Sequence, residues 1–312
     1  MTVQAVIGLA TRGRKQMLRA ALESVRVLKV PADVALTVVV VENDHTESCR
    51  NLVKTGLEGV RFIYEVESRI GIAYARNRVA EIALKAQADV LLFFDDDEML
   101  SSDWLEVMLE AWRKRQGKLI GGPVRVHFDW KPESAYRAFV QKAIAHHYGK
   151  REKRLARISS RGGSVLVSTN NCLVDMELFT THELRYSTEH HTGSDKRFYQ
   201  DACELGIKTG WVASATVQDV WPRNRTSLRY NFFRASEQEK TRYAACEPES
   251  RLTFALQRAG KSTLFGILLA LGLLPSGGYT IIPATRMAGR VWGLLAATMG
   301  SRSVLYKVPT GS

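Results

Sequence analysis

An apolar run that stops at four consecutive acids constrains the fold of this 312-residue chain more than any other stretch. The run is Val90-Leu91-Leu92-Phe93-Phe94, and Asp95-Asp96-Asp97-Glu98 follow it directly. Five large apolar residues in a row are typical of a strand that is buried on both faces, as at the centre of a parallel sheet. The acids then fall at the carboxyl end of that strand, which is where open α/β sheets bind their ligands.

Four adjacent carboxylates repel one another and require something that offsets their charge. A hard divalent cation, Mg²⁺ or Mn²⁺, prefers oxygen ligands and often shares them with substrate phosphates. The pattern therefore favours a metal site. The alternative is a solvated acidic turn ahead of the helix that starts near Ser102.

Strand-like and helix-like segments alternate along the first 115 residues. Apolar strand patterns at 3–9, 36–41, 60–66 and 90–94 are separated by helical patterns at 17–28 and 71–87, and a third helical pattern starts near residue 102. This alternation predicts an α/β fold, with a Rossmann-like, mostly parallel central sheet flanked by helices. Beyond residue 116 the pattern is less regular, with a strand at 119–126 that Gly121-Gly122-Pro123 breaks and a basic helix at 133–161.

The end of the chain carries two apolar runs, at residues 264–274 and 291–299. Neither reaches the roughly 20 residues that a helix needs to span a bilayer. Their basic neighbours, Arg258, Lys261 and Arg302, are typical of interfacial segments that lie in an anionic leaflet. We expect a helical, membrane-associated region; the alternative is a buried helical pair that caps the main domain.

The charge balance favours anionic partners. The chain has 44 Lys and Arg against 32 Asp and Glu, a net charge of +12, which suits nucleic acid, anionic lipid or phosphorylated substrates. Nucleic acid is the least favoured, because the basic residues are spread along the chain and are not interleaved with aromatics. The four cysteines include no C-x-x-C pair, and the N-terminus lacks the layout of a signal peptide, so we expect reduced thiols and a cytoplasmic location.

Seven segments, in a fixed order, resemble the motifs of one known family. They are Thr11-Arg12-Gly13-Arg14, Glu42-Asn43-Asp44, the stretch Gly71 to Asn77 (GIAYARN), Asp95-Asp96-Asp97, Trp104-Leu105, Gly193-Ser194-Asp195, and Pro222 with Arg225, Leu228 and Arg229. Together they resemble the inverting family 2 glycosyltransferases of the GT-A fold, especially those that build bacterial exopolysaccharides. The resemblance covers about residues 3 to 240.

The resemblance implies a role for each matched residue. Asp97 is the expected main metal ligand with Asp95 in support, and Asp195 is the expected general base. The remaining matched residues are expected at the nucleotide, ribose or diphosphate: Thr11, Arg12, Arg14, Glu42, Asp44, Arg76, Asn77, Asp95, Asp96, Arg225 and Arg229.

Three positions depart from the family pattern. Glu42 replaces the usual first Asp of a D-N-D turn, and Ser194 replaces the Glu of a G-E-D segment. Val220 and Trp221 stand where the family often has a His before the Pro, which leaves any metal to Asp97, Asp95, the diphosphate and water. We expect the pairs His146-His147 and His190-His191 to be structural, because adjacent histidines point in different directions.

The function implied is a metal-dependent inverting transfer of a sugar from a nucleotide-sugar donor, expected to be a UDP-sugar. The expected acceptor is a saccharide, polyprenyl-linked, at the inner membrane. The implied domains are a GT-A domain at 1–240, divided into a nucleotide-sugar half at 1–115 and an acceptor half at 116–240, and the membrane-associated region at 241–312.

Two other hypotheses remain. A sugar-nucleotide pyrophosphorylase shares the α/β core but wants a G-x-G-x-R loop after its first strand, which Ala10 to Arg14 do not supply. The second, from another class, is a basic protein that binds nucleic acid or an anionic membrane.

Overall fold

The structure, a computed structural model, describes residues 2–53, 59–189 and 193–303. His190 and His191, which the sequence predicts to be structural, lie outside these residues. The described chain forms two compact units. Of the described residues, the first unit comprises those up to 125 together with 152–219, and the second comprises 126–151 together with 220–303.

The described residues contain ten strands and ten α-helices. In chain order they are β1 (Val3–Thr11), α1 (Lys15–Arg26), β2 (Val34–Glu42), α2 (Arg50–Val53), β3 (Arg61–Val66), α3 (Ile72–Lys85), β4 (Val90–Phe94), β5 (Glu98–Leu100), α4 (Trp104–Arg113), β6 (Leu119–Gly121), β7 (Val124–His127), α5 (Ala135–Ser160), β8 (Asn171–Asp175), α6 (Glu177–Thr180), α7 (Ser194–Glu204), β9 (Thr209–Trp211), β10 (Val217–Val220), α8 (Leu228–Ala244), α9 (Arg251–Leu271) and α10 (Ile281–Thr298).

A seven-stranded sheet in the order β3-β2-β1-β4-β8-β6-β9 forms the centre of the first unit. Strands β3, β2, β1 and β4 are parallel to one another, β8 is antiparallel to both β4 and β6, and β6 and β9 are parallel. The expected α/β fold with a mostly parallel sheet is confirmed. β4, from the apolar run before the acids, is the fourth strand of seven and every one of its residues is buried.

The buried side chains of β4 alternate between two cores because successive residues of a strand point to opposite faces. Leu92 and Phe94 pack with α1 and α4 on one face of the sheet, while Leu91 and Phe93 pack with α3 and α7 on the other. Helices cover both faces, which is why the strand is apolar throughout.

Two stretches that each predict one strand, residues 119–126 and 207–217, contain parts of two strands in the structure. β6 ends at Gly121 and β7 begins at Val124, so the predicted break at the Gly-Gly-Pro sequence is confirmed. The stretch 207–217, predicted as one strand, instead contains β9 and the start of β10. β10 pairs antiparallel with β5, which places Asp219 opposite Glu98.

In the second unit, α10 packs closely on α8 at two glycines. A Cβ atom built on Gly289 would lie 2.2 Å from the carbonyl oxygen of Phe232, and one on Gly293 would lie 2.3 Å from that of Ser236. No larger side chain fits at either position without separating the helices. The backbones of the two helices are therefore in direct contact.

Glu239 of α8 links α8, α9 and α10 within this unit. Its carboxylate is fully buried and accepts two hydrogen bonds from Arg258 of α9, at 2.7 and 2.8 Å. Arg242 donates to the same carboxylate at 2.5 Å, and the Nε of Arg290 on α10 lies 3.7 Å from it. Burial alone would raise the pKa of Glu239, but these arginines outweigh it and hold the pKa below its ordinary value.

No helix within the described residues is long and apolar enough to cross a membrane. The domain boundary expected between residues 240 and 241 falls inside α8. The division into a transferase domain and a membrane-associated region stays a prediction.

Candidate active site

The parallel strands β1, β2 and β4 end at one edge of the sheet. Thr11 at the end of β1 pairs with Glu42 at the end of β2, and Gly8 pairs with Phe93 near the end of β4. The turns that follow these three strands therefore lie side by side, although the sequence separates them by up to about 85 residues. This edge brings together the first, second and fourth of the predicted motifs.

Asp96, in the middle of the acidic turn, is held by residues from the first turn. Thr11 donates its hydroxyl to Asp96 Oδ2 at 2.7 Å, and Arg14 Nη1 donates to Asp96 Oδ1 at 2.9 Å. Burial raises the pKa of Asp96 to about 6, and Arg14 opposes that shift. Thr11, Arg14 and Asp96, predicted as donor-binding residues, thus contact one another as a framework for the turn.

The other two aspartates each lie near an arginine. Arg76 Nη2 is 3.4 Å from Asp95 Oδ1, and Arg14 Nη1 is 3.6 Å from Asp97 Oδ2. The protein itself therefore supplies part of the positive charge that the acidic run requires. The sequence leaves Arg76 two partners, the diphosphate or the aspartate cluster, and the structure shows its contact with Asp95.

Glu98 supports the turn from below. It is buried, accepts a hydrogen bond from the backbone N–H of Asp95 at 2.8 Å, and accepts another from the side chain of Asn170 at 3.1 Å. Burial raises the pKa of Glu98 well above its ordinary value, and the neighbouring charges of Asp95 and Asp219 add to the shift. Sequence reasoning missed Asn170, which directly precedes β8 and gave no sign of this partner.

Asp195, the predicted base, lies in the first turn of α7, directly after Gly193 in the left-handed conformation and buried Ser194. Its negative charge contributes to the pKa of Arg76. Burial alone would lower the pKa of Arg76, but Asp95 and then Asp195 outweigh it and raise it. One arginine therefore interacts with the acidic turn and with the candidate base, which are one hundred residues apart in sequence.

Asn77 fixes the wall of this site. Its side-chain amide donates to the backbone oxygen of Tyr186 at 2.8 Å and accepts from the backbone N–H of Tyr186 at 2.9 Å. Tyr186 stacks on Phe198 of α7 with ring centroids 4.5 Å apart, and its buried hydroxyl has no hydrogen-bond partner among the described residues. Sequence reasoning missed Tyr186. The predicted nucleotide contact of Asn77 stays a prediction, since both ends of its amide bind Tyr186 here.

Glu42 points into the protein. It is fully buried and accepts hydrogen bonds from the backbone N–H groups of Ser48 and Cys49, each at 2.9 Å, and from the hydroxyls of Ser48 and Tyr64. Burial would raise the pKa of Glu42, but these donors outweigh it and lower it. In this conformation the carboxylate shapes the loop after β2, and its expected contact with the nucleobase stays a prediction.

Asn43, the residue between the two predicted acids of this turn, ties the β2 and β3 ends together. It donates to the backbone oxygens of Glu67 and Arg69 at 3.0 and 2.7 Å and accepts from the N–H of Gly71 at 2.8 Å. Its neighbour Asp44 is half-buried, 4.0 Å from Arg12. Arg12 and Asp44 thus lie together on the outer side of the same edge.

The two downstream arginines belong to the second unit. Arg225 is buried at the end of a short 3₁₀ turn, Arg223–Arg225. Arg229 lies in the first turn of α8, with its guanidinium 5.7 Å from the ring centroid of Phe233. Their contact with a diphosphate stays a prediction.

The carboxylates at the edge fit a metal ion that a substrate completes. Among the described residues, no group of three or more His, Cys, Asp or Glu side chains is placed to hold one. Asp95 and Asp97 nevertheless offer two carboxylates from one turn, and Mg²⁺ is commonly bound by one or two carboxylates together with substrate phosphates and water. The donor set suits a cation that arrives with a diphosphate.

Comparison with protein families identifies one model that matches the chain. The model for glycosyl transferase family 2 matches residues 6–176, which include every motif from Thr11 to Trp104. The succinoglycan biosynthesis protein ExoM of Rhizobium meliloti strain 1021 is 35% identical over 308 residues, a match that covers 94% of each chain.

Solved structures share the fold at much lower sequence identity. A mannosyltransferase from Pyrobaculum calidifontis, PcManGT, in complex with GDP-Man and Mn²⁺ has a TM-score of 0.59 at 15% identity, covering 94% of this chain and 88% of its own. TarS residues 1–349 of S. aureus, in complex with UDP-GlcNAc, has a TM-score of 0.54 at 11% identity, covering 96% and 93%. At these identities the likeness concerns the fold alone.

Proposed function

Because this chain belongs to glycosyl transferase family 2 and is a glycosyltransferase with the GT-A fold, we propose that it carries out a metal-dependent, inverting sugar transfer at the edge where β1, β2 and β4 end. The donor is a nucleotide-sugar, most simply a UDP-sugar. The acceptor is a hydroxyl group of a growing saccharide.

One observation carries this proposal. Arg76 is buried, its Nη2 lies 3.4 Å from Asp95 Oδ1 in the acidic turn, and the charge of Asp195, at the start of α7, helps to raise its pKa. A metal-dependent direct displacement at a sugar carbon uses carboxylates that hold the diphosphate's cation and a base for the acceptor within the same site. The shared arginine supports placing both functions in this one site.

The reaction is a single displacement. Asp195 accepts the proton of the acceptor hydroxyl while the oxygen forms a bond to the anomeric carbon of the donor, and the bond from that carbon to the diphosphate breaks. The leaving group is the nucleoside diphosphate, and the anomeric centre is inverted. General base catalysis of this kind contributes about 10²–10⁴-fold.

Asp97, with Asp95 in support, is the residue we assign to a Mg²⁺ or Mn²⁺ ion. When bound, the ion supplies Lewis-acid stabilisation of the charge on the diphosphate. Arg14 lies near Asp97, and Arg76 near Asp95. We infer that both arginines orient these carboxylates and contact phosphate oxygens, which Arg binds well through its planar fork.

The acceptor and the location that we propose are supported by the similarity to ExoM, a succinoglycan biosynthesis protein. The similarity to ExoM supports a role in exopolysaccharide synthesis. We infer a polyprenyl-linked saccharide acceptor, which a bilayer holds, and therefore a place of work at the cytoplasmic face of the inner membrane.

Donor binding and transfer test the proposal separately. We expect a thermal shift with one of UDP-glucose, UDP-galactose, GDP-mannose or dTDP-rhamnose that requires Mn²⁺ and disappears with EDTA. Asp97→Ala abolishes the Mn²⁺-dependent part of the shift. Asp195→Asn keeps the shift but lowers the transfer of labelled sugar to lipid-extractable acceptor, in membranes from the source organism, by about 10²-fold or more.

Asp201→Asn is the matched control, since Asp201 lies on the same helix α7 and pairs with Arg197 across the outer surface. It leaves both readouts unchanged. Near-normal transfer by both Asp97→Ala and Asp195→Asn would rule the proposal out.

A further inference from the structure

An apolar surface covers the second half of α9 and the turn after it. We call it the hairpin surface: Leu264, Phe265, Ile267, Leu268, Leu271 and Leu274. Each of these side chains is more than half exposed, and Leu274 is 93% exposed. Globular monomers rarely expose contiguous large apolar side chains in this number unless a partner covers them.

Helix α10 also exposes apolar side chains. Trp292, Leu295 and Met299 share one face of that helix at spacings of three and four residues, and each is also more than half exposed. The alternative expected from the sequence, a buried capping pair, requires these side chains to be covered. They are not covered by the described chain.

The residues around the hairpin carry no charge over a long stretch. From Ser262 to Thr285, 24 residues in a row contain no Asp, Glu, Lys or Arg. This stretch includes the end of α9, the turn with Pro275 and the start of α10. Because the chain folds back within it, the stretch is suited to lie in a bilayer interface and not to span it.

Along the chain, the charged residues that flank this stretch are positive. Residues 250–312 contain seven Lys and Arg and no Asp or Glu. Lys261 is exposed one turn before Leu264, and Arg302 is exposed after α10. The rim of the hairpin surface is therefore complementary to an anionic surface.

The charge also distinguishes a lipid from a second copy of the chain. Two-fold pairing brings the same patch of each copy face to face, so the cations of one rim would meet the cations of the other. An anionic leaflet instead pairs acyl chains with the leucines and headgroups with Lys261 and Arg302. We propose that the hairpin surface inserts into the interface of a bilayer containing anionic lipid and that it does so without any acceptor.

The hairpin is held firmly enough to act as one element. A Cβ atom built on Gly266 of α9 would lie 3.4 Å from the Cβ of Met287 on α10, an ordinary contact. Glu239 then fixes both helices to α8 through Arg258 and Arg290. This inference rests on no step of the sugar transfer.

Vesicle co-sedimentation of the full chain tests the proposal. We expect binding to vesicles of phosphatidylcholine with 30% phosphatidylglycerol, and much weaker binding to phosphatidylcholine alone, at about 0.15 M salt. Leu268→Ser/Leu271→Ser weakens the binding at least about tenfold, because two exposed leucines no longer enter the acyl region. Lys261→Gln weakens it about fivefold, and only with the anionic vesicles.

The matched control is Val27→Ser/Leu205→Ser, which removes two exposed apolar side chains of the first unit and leaves the binding unchanged. Leu274→Ser, at the most exposed position, is a second variant that does not disturb helix packing. Circular dichroism and the Mn²⁺-dependent donor shift are measured on each variant. Lost vesicle binding with the donor shift retained supports the proposal and separates it from any failure of the proposed function.

Three results overturn it. One is a wild-type chain that binds neither kind of vesicle. Another is equal binding by the wild type and both hairpin variants. The third is a dimer in analytical ultracentrifugation that Leu268→Ser/Leu271→Ser converts to a monomer, which assigns the hairpin surface to a second copy.

Discussion

Replacing Glu239 by Gln tests how the second unit is held together. The variant keeps the size of the side chain and one carbonyl acceptor, but it removes the charge that faces Arg242, Arg258 and Arg290. Removing one partner of a buried ion pair costs about 3–5 kcal/mol, because the remaining charges are left without compensation. The three arginines are each 28–46% exposed, so water relieves part of that cost, and we expect about 3 kcal/mol of lost stability.

Urea denaturation followed by circular dichroism at pH 7 measures the loss. A double-mutant cycle with Arg258→Met then isolates the bidentate pair. We expect a coupling free energy of about 1–3 kcal/mol, since the residues are in direct contact. Arg290→Met is the comparison, and it costs less than Arg258→Met because its Nε lies 3.7 Å from the carboxylate.

The pH dependence gives an independent check. The pKa of Glu239 is lower in the folded chain than in the unfolded chain. Its stabilisation is therefore present above the unfolded pKa, near 4.5, and is lost as the pH falls through the folded pKa. The difference between wild type and Glu239→Gln should shrink in the same direction. A loss below about 1 kcal/mol at pH 7, or a coupling near zero, refutes the account of Glu239 as the point that joins α8, α9 and α10.

Three further predictions concern other positions. Gly289→Ala costs about 1–3 kcal/mol of stability through overpacking against Phe232 and so lowers the melting temperature. Gly260→Ala in α9, where a Cβ meets no described atom within 4 Å, raises the melting temperature. Equal effects of the two variants in calorimetry would contradict the α8–α10 contact. Asn171→Leu costs about 3 kcal/mol or more in urea denaturation, because Trp104 Nε1 and the carbonyls of residues 123 and 215 lose its three hydrogen bonds; a loss under 1 kcal/mol speaks against it. Burial, followed by the charges of nearby arginines, lowers the pKa of His147 to about 4. The folded chain therefore loses up to about 3 kcal/mol of stability as the pH falls from 6.5 to 4, and His147→Gln removes that dependence. Parallel plots of stability against pH for wild type and variant would exclude this role of His147.

The fold was largely predictable because its signals are local and repeated. The five apolar residues from Val90 to Phe94 predict a doubly covered strand, and the structure places that strand fourth in a sheet of seven. The motifs from Thr11 to Trp104 predict the family, which the family model and the ExoM relative confirm. The antiparallel insertion of β8 beside β4 was not predictable, since a buried strand has the same pattern in either direction.

The candidate site was predictable in its residue types and less so in its contacts. The sequence places Asp96, Arg14 and Glu42 in the right turns but does not say where their side chains point. Glu42 turns inward to its own loop, and Arg14 pairs with Asp96 across 82 residues of chain. The role of Tyr186 could not be predicted, because the stretch around it has no periodic pattern. Only the fold brings Tyr186 into contact with Asn77.

The contact between α8 and α10 has a further consequence. Gly289 and Gly293 are four residues apart, and their spacing lets two backbones meet through van der Waals contact without relying on exclusion of water. Glycine-mediated helix contacts of this kind persist in hydrocarbon. Packing between leucines loses its hydrophobic driving force there, because the solvent is equally apolar. The unit that carries the hairpin surface is therefore built to keep its shape in detergent micelles as well as in buffer.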